Sequence, residues 1–400
     1  MNILYVNTNF HEGGAAKIAR QLYYGMKERG HNVYFLAGYP SKNDEECIIM
    51  NPSVFWKIYN IGTGVLQNNQ VISRKRARKI IQDIVREKNI DVVHFHNLFE
   101  NYIGIKDIGY IRKHCKVVWT LHDMWAVTGH CAYSFYCDKW KTGCEHCKEK
   151  RFYPAFYYND VEYKYRLKSS SFAAKNIVYV TPSYWMERIC RKSYLKKEDI
   201  HVVENGVNTK IYRPIDKQSL REKYGIAEDK VVLFFTAAVV QDRRKGINYL
   251  LEALKRIEDK NKYVLFVAGN GELKEELRGF TVHNAGFISD EERMNEMYNL
   301  ADIYVNPSLV ESFGCTAAEA AAAGTAAIVF SSSGLKEIVT EQTGWLVEPG
   351  NVSDLYKAIV EASEDKALLK EKGEKARRRA EELYSEQRML DNYEKLYSEL

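Results

Sequence analysis

Short apolar runs, rich in β-branched side chains and lacking polar alternation, recur along this chain between longer stretches with helical spacing. In the first half the runs fall at 3–6, 33–37, 92–95, 117–121 and 177–181, with helical patterns at 15–29, 74–88 and 103–114. A run without alternation has no solvent face, so each predicts a parallel strand covered on both sides. Strand, helix and strand in succession imply right-handed crossovers and a doubly wound sheet. The rhythm restarts with runs at 231–238, 263–268, 282–285, 303–305, 326–330 and 345–347. Helical patterns at 247–260, 290–300, 315–323 and 335–339 lie between them.

The pattern therefore predicts an α/β protein of two doubly wound domains, residues 1–205 and 206–378. The hinge lies near 200–215, where Gly206 and Pro214 punctuate the chain. The charged helical end, 379–400, has no strand after it and is expected to cross back to the first domain. Residues 124–160 interrupt the rhythm. They are rich in Tyr, Trp, Cys and Lys without a clean period, and read as an inserted excursion.

With 400 residues, 46% hydrophobic and 28% charged, the chain has ample core material, which excludes disorder, collagen-like repeats and coiled-coil rods. No run approaches the ~18 apolar residues of a membrane-spanning helix. The first residues, MNILYVNTNF, read as a strand rather than a signal peptide, so a cytoplasmic location is expected. The net charge of +5 conceals +12 over residues 1–200 and −7 over 201–400. The first half thus suits an anionic partner.

Candidate chemistry gathers where strands end. Gly13 and Gly14 lie between the first strand and a helix, where backbone amides can approach an anion. A tight turn explains them equally well. A dinucleotide fingerprint is excluded, because its third glycine and ribose-binding acid are missing. The third and fourth strands end in His94-Phe-His96-Asn97 and His122-Asp123. Ligand crevices in open α/β sheets lie outside the carboxyl ends of strands, so His122 is the functional candidate there, and His94 reads as structural.

In the second half, Asp242-Arg243-Arg244-Lys245-Gly246 forms a cationic turn above a strand end, suited to a diphosphate. Glu311-Ser-Phe313-Gly314-Cys315 opens a helix that carries Glu319 about two turns beyond Glu311. Amides of a first helical turn can cradle oxygens, and the carboxylates can accept sugar hydroxyls.

Of eight cysteines, Cys131, Cys137, Cys144 and Cys147 fall within the excursion. Their spacing admits a structural zinc bound by four thiolates, buried thiols or a redox pair. The basic stretch 74–79 is either a solvated helix face or a surface that rests on anionic lipid. No nucleic-acid motif accompanies it.

The order of these motifs resembles the family 4 retaining glycosyltransferases of GT-B fold. Glu311-Ser-Phe-Gly-x4-Glu319-Ala-x-Ala-x-Gly324 is similar to that family's signature, and the likeness extends over the whole chain. It includes Gly13-Gly14, Gly30-His31-Asn32-Val33, Pro182-Ser183, Asn205-Gly206-Val207, Lys245-Gly246, Gly269-Asn-Gly271 and Ala301-Asp302 through Pro307-Ser308. The excursion, with Trp119-Thr-Leu-His122-Asp-Met-Trp125 and its cysteines, resembles a branch found in capsule and exopolysaccharide clusters.

The resemblance implies two Rossmann-like domains facing across a cleft and a nucleotide-sugar donor. Glu319 should then bind the ribose, Glu311 with the 313–315 backbone the transferred sugar, and Lys245 with a neighbouring arginine the diphosphate. His122 should lie beside the sugar and acceptor. No catalytic metal is implied, and the acceptor would be a glycan, lipid-linked or free. Two departures stand out. The family's Gly-Arg pair before Lys-Gly is replaced by Ala238-Val239-Val240, so either Arg243 or Arg244 substitutes or donor binding is weaker. The Gly-x-Pro turn is Gly324-Thr-Ala326. Rival readings are a nucleotide-sugar epimerase, a phosphorylase, or a non-catalytic subunit that binds glycan or a partner.

Overall fold

The computed structural model describes residues 1–41, 45–53, 55–56, 58–60, 62, 75–155, 160–173, 176–271, 273 and 277–400. They form two compact units, Met1–Glu204 with Leu390–Leu400, and Asn205–Met389.

The first unit is built on a seven-stranded parallel sheet. Its strands are β1 (Asn2–Asn7), β2 (Asn32–Ala37), β3 (Ile48–Ile49), β4 (Val92–Phe95), β5 (Lys116–Thr120), β6 (Ile177–Thr181) and β7 (Asp199–Val202), in the order β3-β2-β1-β4-β5-β6-β7. Between them lie α1 (Gly14–Glu28), α2 (Lys75–Glu87), α3 (Ile105–Ile111), α4 (Val161–Phe172) and α5 (Tyr184–Arg191). All four residues of β4 are buried, as a run without alternation requires. The order reverses at β1, which pairs with β2 on one side and β4 on the other. Loops after β1 and β4 therefore part at their carboxyl ends and leave a crevice.

The second unit repeats this plan with six parallel strands, β8 (Val231–Val239), β9 (Tyr263–Asn270), β10 (Thr281–Gly286), β11 (Ile303–Asn306), β12 (Ala327–Phe330) and β13 (Gly344–Val347). Their order is β10-β9-β8-β11-β12-β13, so the reversal falls between β8 and β11. The helices are α6 (Lys217–Tyr224), α7 (Ile247–Lys255), α8 (Glu291–Leu300), α9 (Cys315–Ala322), α10 (Leu335–Ile338), α11 (Val352–Glu364) and α12 (Lys366–Leu383). In α9 the side chains of Ala317, Ala318 and Ala320–Ala322 are all buried, and their small size lets α12 approach. A Cβ at Gly373 of α12 would stand 2.2 Å from the carbonyl oxygen of Gly324.

The charged end is two helices rather than one, because the chain breaks at Tyr384 and Ser385 before α13 (Glu386–Glu399). From Leu390 onward α13 belongs to the first unit. There Leu390, Tyr393, Leu396 and Tyr397 are buried. Arg29 binds its outer face through Asp391 at 2.6 Å and Glu394 at 2.7 Å.

Among its described residues the excursion contains only two 3-10 turns, Trp125–Val127 and Lys139–Lys141. With few backbone ladders of its own, it is held by side chains. Lys168 of α4, wholly buried, donates to the carbonyls of Trp125 and Thr128, and its ammonium lies 3.6 Å from the centre of the Trp125 ring. Burial pushes its pKa well down. In α2, Ala77, Ile81 and Ile84 face the core, while Lys75 and Lys79 are exposed. Arg76 and Arg78 lie over the rings of Trp56 and Tyr110 at 4.3 and 4.4 Å. Arg74, expected in this basic stretch, lies outside the described residues. No described helix is long and apolar enough to cross a membrane.

Candidate functional site

The second unit assembles its site at the switch point between β8 and β11. After β8 a single 3-10 turn, Arg243–Lys245, is capped by Asp242, whose Oδ1 accepts from the Arg244 amide at 2.9 Å. Gly246 follows at φ +74°, and a Cβ there would stand 2.0 Å from the carbonyl oxygen of Pro307 in the loop after β11. Only glycine allows this approach. The two loops are then stitched by the Leu309 amide donating to the carbonyl of Arg244 at 2.9 Å.

This stitch delivers both cations to Glu311. Lys245 Nζ pairs with Oε1, and Arg244 Nη1 lies 3.2 Å from Oε2. Burial alone would raise the Glu311 pKa, yet the charges of Lys245 and Arg244 outweigh it and hold the carboxyl below its ordinary range. Arg243, by contrast, is exposed and takes no part in this triad. Of the two arginines offered by the sequence, the structure brings Arg244 to the site and not Arg243.

Glu311 leads directly into α9. Its amide donates to Ser333 Oγ at 2.7 Å, and its carbonyl accepts from the Gly334 amide at 2.9 Å. Phe313 is buried against Tyr384, and Gly314 begins the helix at φ +108° without a side-chain cap. A Cβ at Gly314 would meet the end of the Leu335 side chain at 2.7 Å, and the positive φ is the stronger reason that the turn takes glycine. Cys315, half-buried, accepts a 3.6 Å contact from Asn205 Nδ2. Further along, Glu319 is buried and its Oε2 accepts from the Tyr298 hydroxyl at 2.9 Å. The site thus holds two buried carboxylates, one flanked by fixed cations and one by a phenol, about the opening turn of a helix.

In the first unit, Gly13 precedes α1 at φ +89°, and no atom lies within 4 Å of a Cβ placed on Gly13 or Gly14. The loop before them is fixed by Arg20, which donates to the carbonyls of Phe10 and His11 at 3.0 and 2.9 Å.

At the ends of β4 and β5 the histidines form a group that the sequence did not disclose, His94 and His96 buried and His122 half-buried. His94 is structural, as read. Its Nδ1 bonds the Tyr397 hydroxyl at 2.6 Å and its Nε2 the Thr120 hydroxyl at 2.8 Å. Thr120 in turn meets the Tyr393 hydroxyl at 2.7 Å. His96 Nδ1 lies 2.8 Å from His122 Nε2, and the two rings are nearly parallel, 14° apart. Burial depresses all three imidazoles, taking His122 to about 3, so each is neutral at physiological pH. The partnership of His94 with Tyr397 spans 303 residues, and no local signal announces it.

Cys131, Cys137, Cys144 and Cys147 line one pocket together with His130, and none forms a disulfide. Cys147 Sγ is 3.8 Å from His130 Nε2, and Cys144 Sγ accepts from the Gly129 amide at 3.2 Å. Burial pushes the thiols of Cys131 and Cys144 up to about 12 and 11. Among the described residues, no three His, Cys, Asp or Glu side chains are grouped so as to hold a metal ion. The spacing that suggested four zinc ligands brings the cysteines to one place without assembling such a set.

Comparison with known proteins agrees with this architecture. The model of Glycosyltransferase Family 4 matches residues 12–211, and that of Glycosyl transferases group 1 matches residues 216–379. The chain is 25% identical, over the full length of both, to WcaC of Escherichia coli, a glycosyl transferase named for colanic acid biosynthesis. Among solved structures, sucrose-phosphate synthase from Thermosynechococcus elongatus aligns over 100% of this chain and 98% of its own, with a TM-score of 0.75 and 19% identity. Anabaena HepE, solved with UDP and glucose, aligns over 100% of both chains with a TM-score of 0.69 and 16% identity. The two sheets and their order are those of the GT-B fold. The chain belongs to glycosyltransferase family 4, and it is a glycosyltransferase.

Proposed function

We propose that this enzyme moves a sugar from a nucleotide-sugar donor to a hydroxyl of a surface glycan, free or lipid-linked, with retention at the anomeric carbon. The observation that carries the reading is Glu311 held ionised between Arg244 and Lys245 at the opening of α9. An ammonium has three N–H donors and a guanidinium five, so both cations can serve Glu311 and a diphosphate together. Charge developing on the leaving diphosphate meets these fixed cations and the helix N-terminus, which supplies electrostatic stabilisation by groups already in place. That makes catalysis independent of a divalent metal. Glu311 and the 313–315 backbone hold the transferred sugar, Glu319 accepts the ribose hydroxyls, and His122 contacts a substrate hydroxyl. Gly13 and Gly14 leave room for an anionic group of the donor.

Support for the donor class comes from HepE, solved with UDP and with UDP-glucose. Support for a surface glycan comes from WcaC and from CapM of Staphylococcus aureus, named for capsular polysaccharide biosynthesis and 26% identical over 58% of this chain. Lys75 and Lys79 on α2 suit an anionic acceptor or lipid headgroups at the inner face of the plasma membrane. A panel of nucleotide sugars in a thermal-shift assay tests the reading. The true donor raises the melting temperature in proportion to the logarithm of its concentration, and transfer with it yields an anomer of unchanged configuration by NMR. A panel without any stabilising nucleotide sugar, or an inverted product, overturns it.

A further inference from the structure

His122 has its Nε2 engaged by His96, and its other ring nitrogen, Nδ1, has no partner among the described residues and is not a buried atom. Only Nδ1 is therefore open to a ligand. Which hydrogen-bonding role Nδ1 can play depends on where the single proton of each neutral imidazole sits. Two arrangements satisfy the 2.8 Å contact. In one, His122 Nε2–H donates to His96 Nδ1, which forces the proton of His96 onto its own Nε2. In the other, His96 Nδ1–H donates to His122 Nε2, and His96 Nε2 carries a bare lone pair.

His96 is 1% exposed, and its Nε2 is buried without a hydrogen-bond partner. The first arrangement buries an orphaned N–H, the rarer and more costly defect in folded proteins; the second buries an orphaned acceptor. The surroundings fix this choice in place. The His94 ring covers His96 at 4.4 Å and is itself locked by Tyr397 and Thr120, while Tyr5 packs 6.2 Å from His96. Trp119 Nε1 donates to the His96 carbonyl at 2.8 Å and holds the backbone.

We propose that His96 is a positioning residue that fixes His122 in the tautomer protonated at Nδ1, so that His122 meets the substrate as a hydrogen-bond donor and not as a proton acceptor. This rests on the reading above that gives His122 a contact with substrate. It assigns His122 to a substrate oxygen, leaving the acceptor's proton to a group other than this imidazole.

The test combines ¹⁵N NMR of the imidazoles with kinetics of two variants. In the wild-type protein the His122 Nδ1 should resonate as a protonated nitrogen and Nε2 as an unprotonated one. His96→Leu should lose that pattern and lower kcat by roughly two- to tenfold, the worth of one net hydrogen bond, with little change in the donor KM. His96→Asn, whose side-chain amide can donate from the place of Nδ1, should recover both the tautomer and most of kcat. A protonated Nε2 on wild-type His122, or no recovery in His96→Asn when both variants melt at the same temperature, overturns the proposal. If His122→Ala keeps full activity while the wild-type spectrum shows the Nδ1 proton, the pairing stands and the placement of His122 in the site falls.

Discussion

Tyr298 on α8 donates its phenolic hydrogen to Glu319 on α9 at 2.9 Å, and both side chains are buried. Burial first, and the Glu319 carboxylate next, raise the Tyr298 pKa well above its ordinary value, so the phenol remains a donor at any working pH. Tyr298→Phe removes this donor while keeping the ring. The expected cost is about 1–3 kcal/mol in stability from the buried acceptor left behind, read from urea denaturation, together with weaker donor binding. An unchanged affinity would separate Glu319 from the donor.

Arg244 and Arg243 are neighbours in one turn, yet only Arg244 reaches Glu311. Arg244→Ala should weaken donor binding about 10-fold or more, since a charged hydrogen bond is worth roughly 1.5–3 kcal/mol. Arg243→Ala should change it less than about twofold, as surface charges generally do. Isothermal titration with the donor found in the thermal-shift panel reads both, and equal losses would remove the distinction.

The sign of the pH dependence at Glu311 follows from its cations. Its folded-state pKa lies below the ordinary 4.5, so its contribution to stability is present above that value. The contribution is lost as the pH falls through the lower, folded-state pKa. Glu311→Gln should remove this one contribution to the acid-side loss and lower turnover strongly, so that its melting temperature falls less steeply below pH 4.5 than that of wild type. Thermal melts between about pH 3 and 7 measure it.

His94 depends on α13 for one of its two hydrogen bonds, the 2.6 Å contact with Tyr397. Tyr397→Phe should destabilise the first unit by about 1–3 kcal/mol, because the ring stays while a buried imidazole nitrogen loses its partner. Hydrogen exchange should show the loosening in β4 and β5. A mutant as stable as wild type would mean that water replaces the hydroxyl.

Chelation offers a separate check on the catalytic charge supplied by Lys245, Arg244 and the start of α9. Transfer rates in EDTA should match those in added Mg²⁺ or Mn²⁺ within about twofold, whereas Lys245→Ala should cost two orders of magnitude, the scale of one removed electrostatic group. A strict requirement for the cation would contradict this division of labour.

The buried strands were legible because a strand covered on both faces shows an unbroken apolar run. β4, β8 and β12 illustrate this. β7 was not legible, since only Ile200 of its four residues is buried, and an edge strand carries no such run. The second-unit site was readable in part. Glu311, Gly314 and Glu319 stand at fixed spacings along one loop and helix, so their neighbourhood follows from the chain itself. The choice between Arg243 and Arg244 depends on which side of a 3-10 turn each faces, and composition is silent on that. The contacts of His94 with Tyr397 and of His96 with His122 arise only when strands and the terminal helix come together. The cysteines come together to line one pocket, and spacing alone does not say how their thiols are arranged within it.

The segment Leu390–Leu400 that completes the first unit is separated from the rest of it by the whole of Asn205–Met389. On the ribosome, at ~5–20 residues per second, the first seven strands must wait roughly ten seconds or more before Tyr393 and Tyr397 emerge. Until then Thr120 and His94 lack their hydroxyl partners, and the surface that Leu396 covers is bare. The second unit, contiguous in sequence, can finish folding first, which reverses the usual order in which the amino-terminal part of a protein matures ahead of the rest.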